Sequence, residues 1–340
     1  KPHVTAGLMI MLELKRLNVP LKRDVIFLAE ASEEGNAGTT PPVGIDFMVN
    51  QHLAEIDAEY CFAEGGSGNR VNGQMRYVSV GLQEKNPRSI ELVAHGTSSH
   101  GSVPQGDNAV LHLANALSAI GKWRAPIRLN ETTREFFTRL AAISSPEDAA
   151  RYRAVLGTDS AKAQAADEYL FAHEPAYSSM LRTSLSPTMI TGGFRINVIP
   201  SEAKATIDMR MLPDDDPAQF LETIRKVINN PAVTVSYGAR STRPIGKSGE
   251  LNSPAMKAIE SAVARHYDTT TLPSMSNGAS DMAQVRSKGV QCYGIGPATD
   301  SEDPAKGYGP HSDQERILES ELHRFVRFWW DIVTQLAAQV

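Results

Sequence analysis

The chain has 340 residues, 41% of them hydrophobic and 21% charged, with a formal net charge of −5. That length supports a sizeable core and two domains, because single cores stop growing near about 250–300 residues, and the composition is that of an ordinary globular protein. No Lys/Arg run offsets the negative balance, so the electrostatic footprint of a nucleic-acid binder is missing and small substrates fit better.

No apolar stretch reaches the roughly 18–20 residues that span a bilayer. The two cysteines, Cys61 and Cys292, each lie in an apolar strand-like run. They exclude a disulfide-rich framework and a cysteine-based zinc site, and read as two buried thiols. Lys1 to Gly7 contains no Met and enters a helical pattern at once, so the chain is expected to start inside a domain. Localisation is left open between cytoplasm and periplasm or secretion.

In chain order, Leu8, Met9, Met11, Leu12, Leu14 and Leu17 predict a largely buried helix over Val4–Leu17, closed by the loop Asn18-Val19-Pro20. The run Asp24–Ala29 reads as a strand, Gly44–Leu53 as a helix and Ala58–Ala63 as a second strand. Strands alternating with helices at this spacing argue for an α/β sheet, whose catalytic groups belong at strand ends.

The character changes near Lys85-Asn86-Pro87. A strand at Ser89–Ala94, a helix at Asn108–Lys122, strands at Ser184–Thr191 and Lys204–Leu212, a helix at Pro217–Asn229 and a strand at Val233–Tyr237 follow the order of a ferredoxin-like α+β module, apparently an insertion. Within it, Arg124–Tyr177 carries helical patterns at Thr132–Ala142, Ala149–Leu156 and Ala161–Phe171, with Phe136, Phe137, Leu140 and Leu170 as apolar faces. After Pro244 the α/β pattern resumes: helix Ser253–Tyr267, loop Ser274–Ser280, helix Asp281–Ser287, strand Val290–Gly294, a loop to His311 and a closing helix Glu319–Gln339. The expected division is a catalytic domain over 1–86 and 243–340, with a lid or dimerisation domain over 87–242 that includes the helical elaboration 124–177.

Four local signals carry chemistry. Glu33 and Glu34 follow the first apolar strand-like run, an odd place for adjacent negative charges unless a cation sits between them, with one carboxylate as ligand and the other as base toward a bound water. Glu64 ends the next strand, and Gly65 and Gly66 allow close backbone approach there. His311 follows a Gly309-Pro310 turn, where imidazole is a common metal ligand, while Glu315 suits the start of the following helix. His100 lies in the small-residue loop Gly96–Pro104, which could reach across a cleft toward an oxyanion. Taken singly, each is equally compatible with a solvated turn or strand end.

In this order and spacing, the motifs resemble the co-catalytic di-zinc peptidase family of aminoacylase, glutamate carboxypeptidase, succinyl-diaminopimelate desuccinylase and carboxypeptidase S. The resemblance covers essentially the whole chain: the helix headed by Lys1, Glu33-Glu34, Glu64-Gly65-Gly66, Gly96–Pro104, Gly192–Ala203, Asp208-Met209-Arg210, Gly278–Asp281 and His311–Glu315. The Asn197-Val198-Ile199-Pro200 segment and the extended module look most like the carboxypeptidase S and N-acyl amino acid hydrolase branch.

The resemblance implies an α/β catalytic domain, a mixed sheet flanked by helices as in zinc exopeptidases, with an inserted ferredoxin-like α+β lid or dimerisation domain. It assigns Glu33 as general base, Glu34, Glu64 and His311 as ligands of a pair of zinc ions (cobalt or manganese being alternatives), and His100 as a lid histidine that polarises the substrate carbonyl. Asn197, Arg210 and Gly278 match positions near the substrate's carboxylate or backbone. It implies a homodimer joined through the lid and a small peptide or N-acyl amino acid as substrate.

The family's His-x-Asp motif and bridging Asp would fall before Lys1, and His3 matches a non-ligand position, so this chain is expected to be an N-terminally shortened form that binds a metal pair poorly. The leading expectation is a zinc-dependent amidohydrolase, with a dipeptide-cleaving exopeptidase as an alternative within the same chemistry. A metal-free binding or dimerisation protein is the alternative outside it.

Overall fold

In the computed structural model the described residues are 1–35, 41–239 and 242–339. The chain opens with helix α1 (Pro2–Arg16), which has Pro in its first turn and Lys15 and Arg16 in its last, placements that suit a helix start and the negative C-terminal end of the helix dipole. Its buried stripe is Ala6, Gly7, Ile10 and Leu14, whereas Leu8, Leu12 and Leu17 are exposed. One face is buried, and the helix is not buried all round as its apolar content predicts. Gly7 lets the Phe27 ring lie on the helix, since a Cβ there would fall 2.7 Å from the ring.

The strand expected at Asp24–Ala29 forms no ladder. An apolar pattern marks a segment suited to a sheet, but only a neighbour supplies its backbone partners.

Helices α2 (Gly44–Gln51) and α3 (Leu53–Ile56) lead into β1 (Tyr60–Ala63), and then a hairpin, β2 (Ser67–Val71) and β3 (Gln74–Glu84), turns at Asn72-Gly73. Both turn residues have positive φ, 50° and 76°, the geometry for which Asn-Gly is favoured.

The chain then enters the inserted module. It comprises β4 (Asn86–His95), β5 (Ser99–His100), α4 (Ala109–Lys122), α5 (Glu131–Ala142), α6 (Pro146–Leu156), α7 (Ser160–His173), α8 (Pro175–Met180), β6 (Ser184–Gly192), β7 (Val198–Ile199), β8 (Glu202–Met211), α9 (Pro217–Ile228) and β9 (Val233–Tyr237). The return consists of α10 (Pro254–Tyr267), β10 (Thr271–Ser276), α11 (Met282–Arg286), β11 (Gln291–Gly294), β12 (Ala298–Asp300) and α12 (Glu319–Ala337). Strand β10 runs into the loop expected from Ser274, and β12 falls within the loop expected before His311. Pro273 breaks the pattern of β10, and β12 is too short to show an alternation.

Two sheets result. The larger runs β1-β11-β3-β2-β12, with β10 also paired to β3. It is mixed: β1/β11, β10/β3 and β12/β2 are parallel, and β2/β3 and β11/β3 antiparallel. Its core joins Val78, Val80 and Leu82 to Met256, Ile259 and Val263 of α10 and Phe325, Phe328 and Ile332 of α12. The module's sheet runs β6-β8-β4-β9, antiparallel throughout, against a core shared with α4 and α9. This is the expected ferredoxin-like arrangement, and the combination is the expected α/β sheet with an inserted α+β unit.

The α5–α8 segment belongs to the module in sequence but packs elsewhere. Phe136, Phe137, Leu140, Tyr152 and Leu170 share a core with Tyr77, Leu272 and Met275 of the larger sheet.

Lys85 marks the outgoing crossing between the two sheets. Its side chain is fully buried, donating to the Ser179 carbonyl and hydroxyl and to the Ser184 hydroxyl. The return passes Arg243, whose carbonyl accepts from Asn86 Nδ2 at 2.5 Å.

Candidate active site

The carboxylates singled out from the sequence gather at the C-terminal end of β1. Glu64 directly follows that strand, where Gly65 (φ 112°) and Gly66 let the chain cross β11 and β3. A Cβ on Gly66 would collide with the Gly294 and Ser79 carbonyl oxygens. Glu33 and Glu34 arrive on a turn that begins at Ser32, and His311 on the turn after Gly309-Pro310. Ser32 (φ 71°) and His311 (φ 65°) both occupy the left-handed region, a conformation that costs a residue with a Cβ of order 1 kcal/mol or more and that clusters at functional sites.

His311 Nε2 lies 3.6 Å from Glu34 Oε2, both largely exposed. Glu33 is more enclosed, with Oε1 3.7 Å from the Arg243 guanidinium, which binds Asp281 Oδ1 at 2.6 Å. Glu30 joins the cluster by a hydrogen bond to Asp281, and burial, then the Asp281 charge, pushes its carboxyl up to about 8.

The electrostatics follow from this crowding. Burial, then the charges of Glu64 and Asp281, raise the Glu33 carboxyl to about 7, with Arg243 opposing. Burial, then Glu34 and Asp281, raise Glu64. Burial is the larger cause for both groups, and the neighbouring carboxylates add a negative charge that a cation would offset.

In donor type and charge Glu34, Glu64 and His311 are of the kind a divalent metal takes. In number they fall short, because among the described residues no three His, Cys, Asp or Glu side chains converge as a ligand set.

The other predicted residues fall into separate places. His100 and Asn197 come together: β5 pairs with β7 through His100↔Val198, and the Gly101 N–H donates to the Asn197 carbonyl at 2.8 Å. His100 Nδ1 pairs with Ser102 Oγ at 2.7 Å, leaving Nε2 free of that contact. Arg210 is at the opposite end of the module's sheet, where β8 pairs with β4 at Pro87, and its guanidinium is held by Asp208 at 2.9 and 3.1 Å. Gly278 follows β10, with its N–H donating to Ser276 Oγ at 3.0 Å. The structure thus groups Glu33, Glu34, Glu64 and His311, groups His100 with Asn197, and leaves Arg210 beside the crossing.

Arg243, Asp281, Glu30 and Glu84 are parts of the site that sequence reasoning did not assign. Glu84 accepts from Ser280 Oγ at 2.8 Å and faces Arg286 at 3.3 Å, tying the loop after β10 to β3. Glu30 and Glu84 carry the same signal as Glu64, an acid at the end of an apolar run. Arg243 lies in irregular chain and carries none.

Comparison with known proteins follows the same division. Residues 82–235 match the peptidase dimerisation domain of the M20 family. A probable carboxypeptidase S-like protein of Dictyostelium discoideum is 26% identical over 256 residues, 75% of this chain and 48% of that protein. Human aminoacylase-1 is 27% identical over 158 residues, 46% of this chain and 37% of that protein. The chain thus spans half or less of the length of these curated relatives. Among solved structures, an M20 family metallo-carboxypeptidase from Sulfolobus solfataricus superimposes with a TM-score of 0.64 over 98% of this chain and 75% of its own, at 20% identity.

Proposed function

We propose that this chain, whose residues 82–235 match the M20 peptidase dimerisation domain, forms part of a zinc-dependent hydrolase that cleaves the amide bond of an N-acyl amino acid or a small peptide. The observation that carries this reading is Glu33: its carboxyl, raised to about 7 among Glu64, Asp281 and Glu34, is poised to exchange a proton near neutral pH.

In the proposed mechanism Glu34, Glu64 and His311 would hold the metal, which when bound would supply positive charge beside the water and the scissile carbonyl. Glu33 accepts the proton that water loses as its oxygen bonds to the carbonyl carbon. It then delivers that proton to the amide nitrogen as the C–N bond breaks, giving a carboxylate and a free amine. His100 donates through Nε2 to the oxygen on which charge develops. Asn197, beside it on the β5/β7 pair, belongs to the same lid surface, and Gly278 lines the approach through its backbone. Arg210 is proposed to meet the substrate carboxylate once the module moves about the Lys85 and Arg243 crossings.

The likeness to aminoacylase-1 and to a carboxypeptidase S-like protein supports the substrate class, and the match to a dimerisation domain supports a homodimer. A second reading, a binding protein without catalysis, is favoured by Arg243, which already stands as counter-cation to Glu33 and Asp281.

The deciding assay is amine release from a panel of N-acyl amino acids and dipeptides, with zinc added, by the protein as its gene encodes it, including any residues before Lys1. Turnover that a chelator abolishes and zinc restores supports hydrolysis. Substrate binding without turnover or metal uptake supports the second reading.

A further inference from the structure

Cys61 and Cys292 are far apart in sequence but are direct partners in the parallel β1/β11 ladder. Neighbouring strands lie about 4.8 Å apart, within the roughly 4.4–6.8 Å between Cα atoms that a disulfide requires. Residues paired across a ladder present their side chains to the same face. Here both thiols enter one cluster beneath α2 and α11, with Val49, Met282 and Val285. They are the only cysteines in the chain, so neither has a competing partner. Cys61 is half-buried on the edge strand of the sheet and Cys292 is fully enclosed.

We propose that Cys61 and Cys292 form a reversible cross-strand disulfide when the protein meets a hydroperoxide. The Cys61 thiolate attacks one peroxide oxygen, the O–O bond breaks, and hydroxide leaves to become water, giving a sulfenic acid on Cys61. Cys292 sulfur then attacks Cys61 Sγ, the S–O bond breaks, and the departing hydroxide takes the Cys292 proton as a second water. Two thiols lose two electrons in all, and one peroxide is reduced to two waters.

The electrostatics assign the same roles. The Cys292 S–H beside it holds Cys61 below the ordinary thiol range against the effect of burial, with the Arg286 guanidinium adding to the lowering, and the same bond together with burial pushes Cys292 up. Cys61, half-buried on the edge strand, is the thiol a peroxide can reach and so the attacking one, and the enclosed Cys292 is the resolving one. The bridge would lie three residues before Glu64, tying the strand that carries it to β11.

The test treats purified protein with hydrogen peroxide, followed by thiol titration under denaturing conditions and mass spectrometry of the non-reduced tryptic digest. The expected result is loss of both free thiols, a mass lower by two hydrogens, and a cross-linked pair of peptides, residues 24–70 with 289–306, that dithiothreitol separates. In Cys292→Ser, Cys61 should stop at a sulfenic acid trapped by dimedone, and in Cys61→Ser, Cys292 should stay reduced. Two unreacted thiols, over-oxidation of Cys61 in the unsubstituted protein, or a disulfide only between chains would each overturn the proposal. No result depends on hydrolytic activity, so this inference and the proposed reaction fail independently.

Discussion

Glu33 and Lys85 are both ionisable side chains moved toward neutrality, by different causes. Glu33 is raised chiefly by burial, with the negative charges around it adding, whereas Lys85 is lowered to about 7 chiefly by burial, with Arg182 and Arg210 adding. For Lys85 the consequence is one of stability. Below about 7 the folded and unfolded chains both carry its proton, so this group gives no slope. Between about 7 and the ordinary lysine value of 10.5 the unfolded chain binds the proton and the folded one does not, and stability rises with pH. Denaturant unfolding of the wild type and of Lys85→Met, each followed from pH 6.5 to 9, should show the wild type gaining stability relative to the variant as pH rises. A difference that is flat across that range would show that the buried amine is charged throughout.

At the scale of elements, the site depends on how closely the end of β1 packs over β11 and β3. Gly66 has no room for a methyl group between the Gly294 and Ser79 carbonyls. Gly66→Ala is expected to cost about 2–3 kcal/mol by forcing that crossing apart, read as a lower midpoint in urea. An unchanged midpoint would contradict the packing described.

The same scale explains what the sequence revealed. Helices were legible from their apolar periodicity, and their ends are chemically marked as well: Asn108 caps α4, Asn130 and Thr133 form a capping box on α5, and Ser-Pro or Asp-Pro pairs open α6, α9 and α10. Strands were less so, since their existence depends on a partner distant in sequence. Asp24–Ala29 has the pattern without the ladder, and β10 has the ladder with Pro273 inside it. The β2/β3 hairpin is marked in the sequence by Asn72-Gly73 alone. In the site, Glu33, Glu34, Glu64 and His311 could be singled out because each follows an apolar run or a Gly-Pro turn. Arg243 reaches the cluster only through tertiary geometry. The pairing of Cys61 with Cys292 is a matter of register, which no spacing in the sequence discloses.

At the scale of the whole molecule, the module presents an edge without a strand partner among the described residues. Strand β6 ends the four-stranded sheet, with Met189 and Ile190 about two-thirds exposed, and Val110 of α4 lies beside Gly192 on the same side. Exposed apolar edge strands invite pairing with another chain, in keeping with the match to a dimerisation domain. Size-exclusion chromatography with light scattering should give a dimer for the wild type and a monomer for Met189→Glu combined with Ile190→Glu. A wild-type monomer would remove the β6 edge from the account.

The central claim, that Glu33 moves the proton in amide hydrolysis while Glu34, Glu64 and His311 hold the metal, is tested most directly by Glu33→Gln in the protein as its gene encodes it. Zinc content and kcat are measured side by side on the preferred N-acyl amino acid or dipeptide. The account predicts wild-type zinc content with kcat lower by about 10²–10⁴-fold, the range for loss of a general base. A variant that holds its zinc and turns over at the wild-type rate would contradict it.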